Sequence, residues 1–176
     1  MSPSTTPFAH RNLPRLLLQA REAVMGHFVP NLRKHGLTDQ QWRVLRVLGE
    51  RGPQALVDTG TIASEAYLLG PSLSGVLARM ERDGLVVRLR DTADARRTLV
   101  RASAEGMRLV ERLAQSIEAH YRAMELALGK DALTQLYRLL DAVIAMDSRT
   151  MAPEVRLSTA RFKPAPRTSL SEKEFA

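Results

Sequence analysis

Residues 70–101 read GPSLSGVLARMERDGLVVRLRDTADARRTLVR, and within them a helical period is followed by a strand period. After the chain break at Gly70-Pro71, Ser72 can cap a helix whose apolar residues recur at three- and four-residue steps, namely Leu73, Val76, Leu77 and Met80. The opposite side of this helix carries small or basic residues: Ser72, Ser74, Gly75, Ala78, Arg79 and Arg82. Such residues suit a face that is pressed against another surface, and an ordinary solvent-exposed helix is the alternative.

A β-hairpin is predicted directly after this helix. Gly84 ends the helical pattern, and alternation then predicts a half-buried strand whose buried side holds Leu85, Val87 and Leu89. A charged turn over residues 91–97 leads to a returning strand at 98–101, and the hairpin is rich in arginine: Arg88, Arg90, Arg96, Arg97 and Arg101. Asp94 is close enough to Arg96 to orient its guanidinium toward a narrow minor groove, and a surface ion pair is the alternative.

Three helices are predicted before residue 70. An apolar stripe from Leu13 to Phe28 predicts a helix that Pro14 can open and that Pro30 should end or kink. A capping box of Thr38 and Gln41 begins the next helix. After a loop, a short third helix is predicted around Ile62, Ala63, Ala66 and Leu69.

This order of elements is typical of one DNA-binding architecture. A helix, a break, a second helix with a small exposed face and an arginine-rich hairpin make up a winged helix-turn-helix. In that architecture the second helix enters the major groove, where hydroxyl and guanidinium groups reach base edges and phosphates. The formal net charge of +7 also favours a polyanionic partner.

Two long helices are predicted after the hairpin. Ser103 can cap the first, and its apolar residues are spaced close to a heptad, at Val110, Leu113, Ile117, Tyr121, Met124 and Leu128. Gly129 interrupts the pattern, and a second stripe follows at Leu133, Leu136, Leu140 and Val143. Because such seams bury more apolar surface than one small domain covers, we expect a partner helix from a second copy, hence a homodimer. Residues 148–176 have no period and are expected to form a mobile basic tail.

Composition excludes several classes of function. The 176 residues contain no cysteine, and the four histidines have no ligand-like spacing, so we expect neither disulfides nor a metal site nor a cofactor. No apolar run reaches the roughly 18 residues of a membrane span, so we expect a cytoplasmic protein without a membrane partner. The sequence lacks a phosphate-binding glycine loop and a Gly-x-Ser-x-Gly elbow, and we therefore do not expect an enzyme.

Five stretches carry a resemblance to a known family: LLQARE (17–22), LTDQQWR (37–43), GPSLSGVL (70–77), RMERDGLV (79–86) and DARR (94–97). From Leu16 to about Met146 the chain resembles the MarR family of bacterial transcriptional regulators. It is most similar to the subgroup named for the homoprotocatechuate-degradation operon regulator, whose neighbours regulate the catabolism of other aromatic acids. The resemblance implies a mainly α (α+β) fold and a homodimer with interlocked N- and C-terminal helices. It also implies an inverted-repeat operator, and repression relieved by a small aromatic carboxylate.

The expected organisation has four segments: an arm and dimerisation helix (1–36), the winged helix-turn-helix (37–101), dimerisation helices (102–147) and the tail (148–176). Residues expected to bind double-stranded DNA are Ser72, Ser74, Gly75, Arg79, Arg82, Arg88, Asp94, Arg96 and Arg97. An aromatic carboxylate needs a cation to pair with and an aromatic wall to pack against. The candidate residues of these types are Arg15, Arg21, His27, Trp42 and Arg46. Two other functions stay open: a non-sequence-specific architectural DNA-binding protein, and a dimeric protein-interaction module.

Overall fold

The computed structural model describes residues 8–94 and 96–146. Its helices and strands are α1 (Leu13–Lys34), α2 (Asp39–Arg51), β1 (Val57–Asp58), α3 (Thr59–Glu65), α4 (Gly70–Arg82), β2 (Val86–Arg90), β3 (Thr98–Ala102), α5 (Ala104–Leu128) and α6 (Lys130–Ile144). Residues up to 130 form one compact unit, and those from 131 on form a second. The predicted winged-helix fold is confirmed. The predicted tail lies outside the described residues.

The core of the first unit confirms the predicted inner face of α4. Leu73, Val76, Leu77 and Met80 are at most 2% exposed. They belong to one apolar cluster with buried residues of α2, among them Val44, Leu45 and Leu48. Burial of this face removes apolar surface from water and fixes which side of α4 is turned outward.

The predicted hairpin is present, and the predicted buried side is confirmed at Leu85 but not at Leu89. The strands are ordered β1-β3-β2, so β3 is central, and all pairs are antiparallel. Val86 is paired with Ala102 and Arg88 with Val100, and these three apolar residues are at most 3% exposed, whereas Leu89 is 41% exposed. The prediction of Leu89 as a buried residue is therefore wrong, because both sides of β2 become exposed toward the tip of the hairpin, where Arg90 is exposed as well. Strand β1, which the sequence predicted as loop, pairs Val57 with Val100.

Several predicted helix ends are confirmed by their hydrogen bonds. Gln41 N–H donates to Thr38 Oγ1 at 3.2 Å, and Thr38 N–H donates to Gln41 Oε1 at 2.9 Å, which completes the capping box. Ser103 Oγ accepts from Gly106 N–H at 3.0 Å and donates to the Gly84 carbonyl at 2.6 Å. The start of α5 is thereby tied to the glycine that ends α4.

Other predicted ends are wrong. Of the two effects predicted for Pro30, an end or a kink of α1, the end is wrong: the helix continues to Lys34, because buried Phe28 and Leu32 hold its last turns against the core. Ser72 does not cap α4; Leu69 occupies that position without a side-chain hydrogen bond, and Pro71 lies in the first turn. Leu69 lies outside the third helix and is 79% exposed. Tyr67 interrupts the helical backbone there with a φ of 50°.

Helices α1 and α5 pack against each other within the first unit. The Phe28 ring contacts the rings of His120 and Tyr121 at centroid distances of 5.4 and 5.5 Å. Asn31 Nδ2 donates to Ser116 Oγ at 3.0 Å. The first half of the predicted α5 seam is therefore used inside the chain, with Leu109, Leu113 and Ile117 buried.

Apolar residues toward the chain's C-terminal side are exposed instead. At the end of α5, Leu126 is 88% exposed and Leu128 is 54% exposed. Helix α6 buries Leu133 but exposes Leu136, Tyr137, Leu139, Val143 and Ile144. Among the described residues, no helix is long and apolar enough to cross a membrane.

Candidate DNA-binding face and effector cleft

The outer face of α4 is open, as the sequence predicted. Ser72, Ser74, Gly75 and Arg79 are all exposed. Ser74 Oγ donates to the Gly70 carbonyl at 3.2 Å, which leaves the hydroxyl oxygen free to accept another hydrogen bond. A Cβ built on Gly75 would meet Arg79 Nη1 at 3.9 Å and no other described side chain within 4 Å. Nothing inside the described chain therefore requires glycine at this position.

The turn before α4 is held by an arginine of α2. Arg43 Nη1 donates to the carbonyl oxygens of Ala66 at 2.6 Å and Tyr67 at 3.1 Å. These carbonyls are at the C-terminal end of α3, where a cation is favoured and where helix carbonyls lack partners. Arg43 therefore helps to set the point from which α4 begins.

The tip of the hairpin is ordered by two aspartates. Asp91 Oδ1 accepts from Ala93 N–H at 2.9 Å, and Asp94 Oδ1 accepts from Arg96 N–H at 3.0 Å. The backbone closes with Asp91 N–H donating to the Arg97 carbonyl at 3.1 Å. Asp94 thus orients the backbone of Arg96, as short aspartate side chains do in turns, rather than its guanidinium. The predicted orientation of that guanidinium by Asp94 is wrong.

The predicted DNA-binding arginines fall into two groups. Three of them have acidic neighbours: Arg97 lies 3.8 Å from both Asp58 and Asp91, Arg88 lies 3.6 Å from Glu81, and Arg82 lies 3.7 Å from Asp83. Within residues 8–94 and 96–146, Arg79 and Arg96 have no ion pair with a carboxylate, and both are exposed. The second group is available to phosphates without first breaking an internal pair.

Arg90 is a candidate that the sequence prediction missed. It lies at the end of β2, is exposed, and has no carboxylate partner in the part of the chain that the structure describes. The sequence showed it only as one member of an arginine-rich strand. Arg90 pairs with Thr98 in the last pair of the hairpin and therefore lies next to the turn. This position in the register distinguishes it as a candidate.

Asp58 connects the hairpin to α3. Its carboxylate caps α3 by accepting from Thr61 N–H at 3.0 Å and Thr61 Oγ1 at 2.5 Å. These hydrogen bonds, and the positive charge of Arg97, lower the pKa of Asp58 below its ordinary value. The carboxylate therefore stays ionised at neutral pH and helps to hold Arg97 beside the sheet.

A second site lies on the outer side of α2. Trp42 and Arg46 share a cleft of about 400 Å³, and we call it the aromatic cleft; it is lined by Trp42, Arg43, Arg46, Val47, Glu50, Glu65 and Tyr67. The Arg46 guanidinium donates to the Glu50 carboxylate, which raises the pKa of Arg46 further. Tyr121 and Glu118 of α5 also raise the pKa of Arg46, so they lie within electrostatic range. Tyr121 was predicted only as a seam residue.

The other predicted effector residues do not line the aromatic cleft. Arg21 donates to Asp39 and Glu22 at 2.7 Å each, so two carboxylates already occupy its guanidinium. Arg15 is exposed in the first turn of α1, and His27 is exposed with its ring centroid 6.4 Å from that of His120. Within one chain, the structure therefore brings together only Trp42 and Arg46 of the predicted set.

The cleft and the open α4 face occur in a chain whose residues 35–97 match the MarR family model. The chain is 42% identical over 137 residues to the homoprotocatechuate degradative operon repressor of Escherichia coli, covering 78% of this chain and 90% of that protein. The chain belongs to the MarR family. Its winged helix is therefore that of a MarR-type ligand-responsive transcriptional repressor, in a family whose members bind DNA and are typically dimeric.

One further relative and one solved structure are also similar to this chain. This MarR regulator is 39% identical over 145 residues to the HTH-type transcriptional regulator FarR of Neisseria gonorrhoeae, with coverage of 78% of this chain and 97% of that one. The crystal structure of NadR in complex with 4-hydroxyphenylacetate matches with a TM-score of 0.71 and 38% identity. That match covers 81% of this chain and 99% of NadR. The relatives are named as regulators and not as enzymes.

Proposed function

We propose that this MarR regulator is a cytoplasmic homodimeric repressor that binds an inverted-repeat operator and is released by a small aromatic carboxylate. The observation that carries the proposal is the open face of α4, where Gly75 has room for a side chain that it lacks. Glycine in a helix interior costs about 0.5–1 kcal/mol relative to alanine. That cost is explained if a DNA surface approaches the backbone at Gly75.

The free arginines support the same partner. Arg79 lies on the open face, and Arg90 and Arg96 lie on the hairpin. Because no carboxylate in the described residues neutralises them, each can pair with a phosphate or enter a groove at no cost in broken ion pairs. Contacts of this kind position the hairpin on the sugar-phosphate backbone of the DNA, and they bring Ser72 and Ser74 close to the base edges.

The exposed apolar residues support a homodimer. Leu126 and Leu128 of α5, and separately Leu139 and Ile144 of α6, are between 54% and 88% exposed. Exposed apolar residues on a helix mark a contact surface, and a second copy is its simplest occupant. A two-fold dimer presents two α4 helices to half-sites about 34–36 Å apart, which is one helical turn of DNA.

The aromatic cleft supports the effector class. Trp42 offers an aromatic wall, and Arg46 offers a guanidinium that can pair with a carboxylate in a bidentate manner. The ligand carboxylate must replace or share Glu50, which is 60% exposed at its side chain and can turn to solvent. NadR was solved with 4-hydroxyphenylacetate, and the E. coli relative is named for homoprotocatechuate degradation. We therefore assign hydroxyphenylacetates, hydroxycinnamates and hydroxynicotinates as candidate effectors.

A selection experiment tests DNA recognition. The purified full chain is incubated with a library of random duplexes, and bound DNA is sequenced over repeated rounds. We expect enrichment of an inverted repeat whose half-sites are about 10–10.5 base pairs apart. A non-sequence-specific architectural protein would bind the library without enriching a motif, and a protein-interaction module would retain no DNA.

A fluorescence titration tests the effector class. Trp42 is the one tryptophan of the chain, so its emission reports directly on the aromatic cleft. We expect 4-hydroxyphenylacetate or a related acid to change this emission and to release the selected duplex. Arg46→Met should weaken that response. Arg108→Met is the control, because Arg108 also pairs with a carboxylate, that of Glu105, and neither residue lines the cleft.

A further inference from the structure

The guanidinium of Arg43 lies between the aromatic cleft and the start of α4. It donates to the carbonyls of Ala66 and Tyr67 at 2.6 and 3.1 Å. It also lines the aromatic cleft beside Trp42. One side chain therefore contacts both the proposed ligand site and the backbone that leads into α4.

The turn that Arg43 holds has an unfavourable backbone conformation. Tyr67 has a φ of 50°, in the left-handed region that residues with a Cβ rarely occupy. Its side chain contributes little packing, because the residue is 79% exposed. Two backbone hydrogen bonds hold this conformation, Tyr67 N–H to the Ser64 carbonyl at 3.2 Å and Leu68 N–H to the Ala63 carbonyl at 2.9 Å, and the Arg43 side chain adds a third by donating to the Tyr67 carbonyl. Loss of the Arg43 donor would remove the one side-chain hydrogen bond of the three and leave the Tyr67 carbonyl free to shift.

Arg43 is not tightly bound on its other side. Its Nε lies 3.4 Å from Asp39 Oδ2, whereas Arg21 Nη2 donates to the same oxygen at 2.7 Å. Arg43 Nε is buried and makes no hydrogen bond within the described residues. Asp39 is thus engaged more closely by Arg21, and the Arg43 guanidinium has an unused donor.

We propose that Arg43 is the positioning residue through which a ligand in the aromatic cleft changes the placement of α4. The inference rests on the proposed effector site. A ligand carboxylate is a charged acceptor, and hydrogen bonds to charged acceptors are roughly twice as strong as those to neutral carbonyls. When the guanidinium turns to the carboxylate, the Ala66 and Tyr67 carbonyls lose their donor. The turn relaxes, and α4 no longer holds the position that fits the major groove.

The experiment measures ligand binding and DNA release separately in the full-length protein. Wild type, Arg43→Met, Arg43→Lys and the control Arg108→Met are each titrated with 4-hydroxyphenylacetate by Trp42 emission. Operator affinity is measured by fluorescence anisotropy on the selected duplex, with and without saturating ligand. The ratio of the two operator affinities is the coupling factor, which a residue needed only for folding would not change selectively.

We expect wild type and Arg108→Met to lose about tenfold or more in operator affinity when ligand is added. Arg43→Met should already bind the operator weakly without ligand, and ligand should change its affinity by less than about twofold, while Trp42 still reports binding through Arg46. Arg43→Lys keeps the charge but not the fork of donors, and its coupling should be intermediate. If Arg43→Met is poorly folded, Arg43→Lys decides the question alone.

Two results would overturn the inference in different ways. If ligand binds and releases wild type, but both Arg43 variants keep the full coupling factor, Arg43 is not the connection and the effector site stands. If none of the candidate acids changes the Trp42 emission of wild type, the proposed effector site is wrong, and the inference is overturned with it.

Discussion

Gly75→Ala should make the protein more stable and its operator complex weaker. The residue is on the exposed side of α4, five residues after Gly70 at the start of the helix. An added Cβ has only Arg79 Nη1 near it, at 3.9 Å, which is an ordinary van der Waals distance at the end of a flexible side chain. The substitution therefore causes no clash inside the described chain.

The gain in stability follows from helix propensity. Alanine in a helix interior is favoured over glycine by about 0.5–1 kcal/mol. For a chain of this length, that increment raises Tm by about 1–4 °C. The change is measured by thermal or denaturant unfolding of the free protein, with Gly26→Ala as the control, because Gly26 is also in a helix and an added Cβ there meets no described atom within 4 Å.

The loss in operator affinity has a different cause. If DNA meets the α4 backbone at Gly75, an added methyl group occupies the contact and pushes the helix outward in both half-sites. We expect a loss of about 1–3 kcal/mol in each half-site, the cost of one mismatched base pair, which for a dimer that contacts both is about 2–6 kcal/mol, or roughly 30- to 25,000-fold in Kd. Anisotropy titrations at fixed salt measure this loss, and Gly26→Ala should bind as wild type does.

Either of two results would contradict this prediction. Wild-type operator affinity in Gly75→Ala would show that no surface approaches the helix at this position. A lower Tm would show that the space around Gly75 is not open. Because the two expected effects have opposite signs, general misfolding cannot imitate them.

Three further predictions concern the hairpin, α5 and α3. Arg96→Ala should weaken operator binding and lower the slope of log K against log salt concentration by about one unit for each phosphate that the variant no longer reaches. Arg97→Ala should mainly lower the free energy of unfolding, by roughly 0–1 kcal/mol, since Arg97 is paired with Asp58 and Asp91. Equal salt slopes for the two variants would contradict this division. Gly106→Ala should lower the free energy of unfolding by about 1–3 kcal/mol, because its Cβ would lie 2.2 Å from the Leu85 carbonyl oxygen, and an unchanged urea midpoint would disprove that close approach. Asp58→Asn should lower Tm at neutral pH: the folded pKa of Asp58 is below its ordinary value of 3.8, so its stabilisation is present above that value and is lost as the pH falls through the lower folded pKa. The Tm difference from wild type should therefore shrink in acid, and a constant difference across pH would exclude ionisation as its source.

Local patterns in the chain were enough for the main elements of the site. The apolar spacing of α4 selects its buried side whatever that side packs against, so the outward positions of Ser72, Ser74, Gly75 and Arg79 follow from the sequence. The caps at Thr38 and Ser103 are equally local, since each hydrogen bond joins residues three apart. Such features depend on a few neighbouring residues and therefore survive any tertiary arrangement.

Contacts between distant residues were not predictable in the same way. Val57 pairs with Val100, so β1 was missed, and Leu89 was wrongly predicted as buried because the sheet leaves the core toward the tip of the hairpin. Pro30 stays inside α1 because packing of Phe28 and Leu32 outweighs the absence of one backbone hydrogen bond.

The pairing of the charged residues also depends on the tertiary structure and not on the sequence alone. From residue types alone, the arginines of the hairpin are equivalent cations, and Arg43 is one more charged residue of α2. Folding brings Asp58 to Arg97 and the Ala66 and Tyr67 carbonyls to Arg43, while Arg79, Arg90 and Arg96 are left without carboxylate partners among the described residues. Residue identity sets how many charges the protein has. Because Coulomb and hydrogen-bond energies fall steeply with distance, only the packed chain decides which of those charges are free to meet DNA.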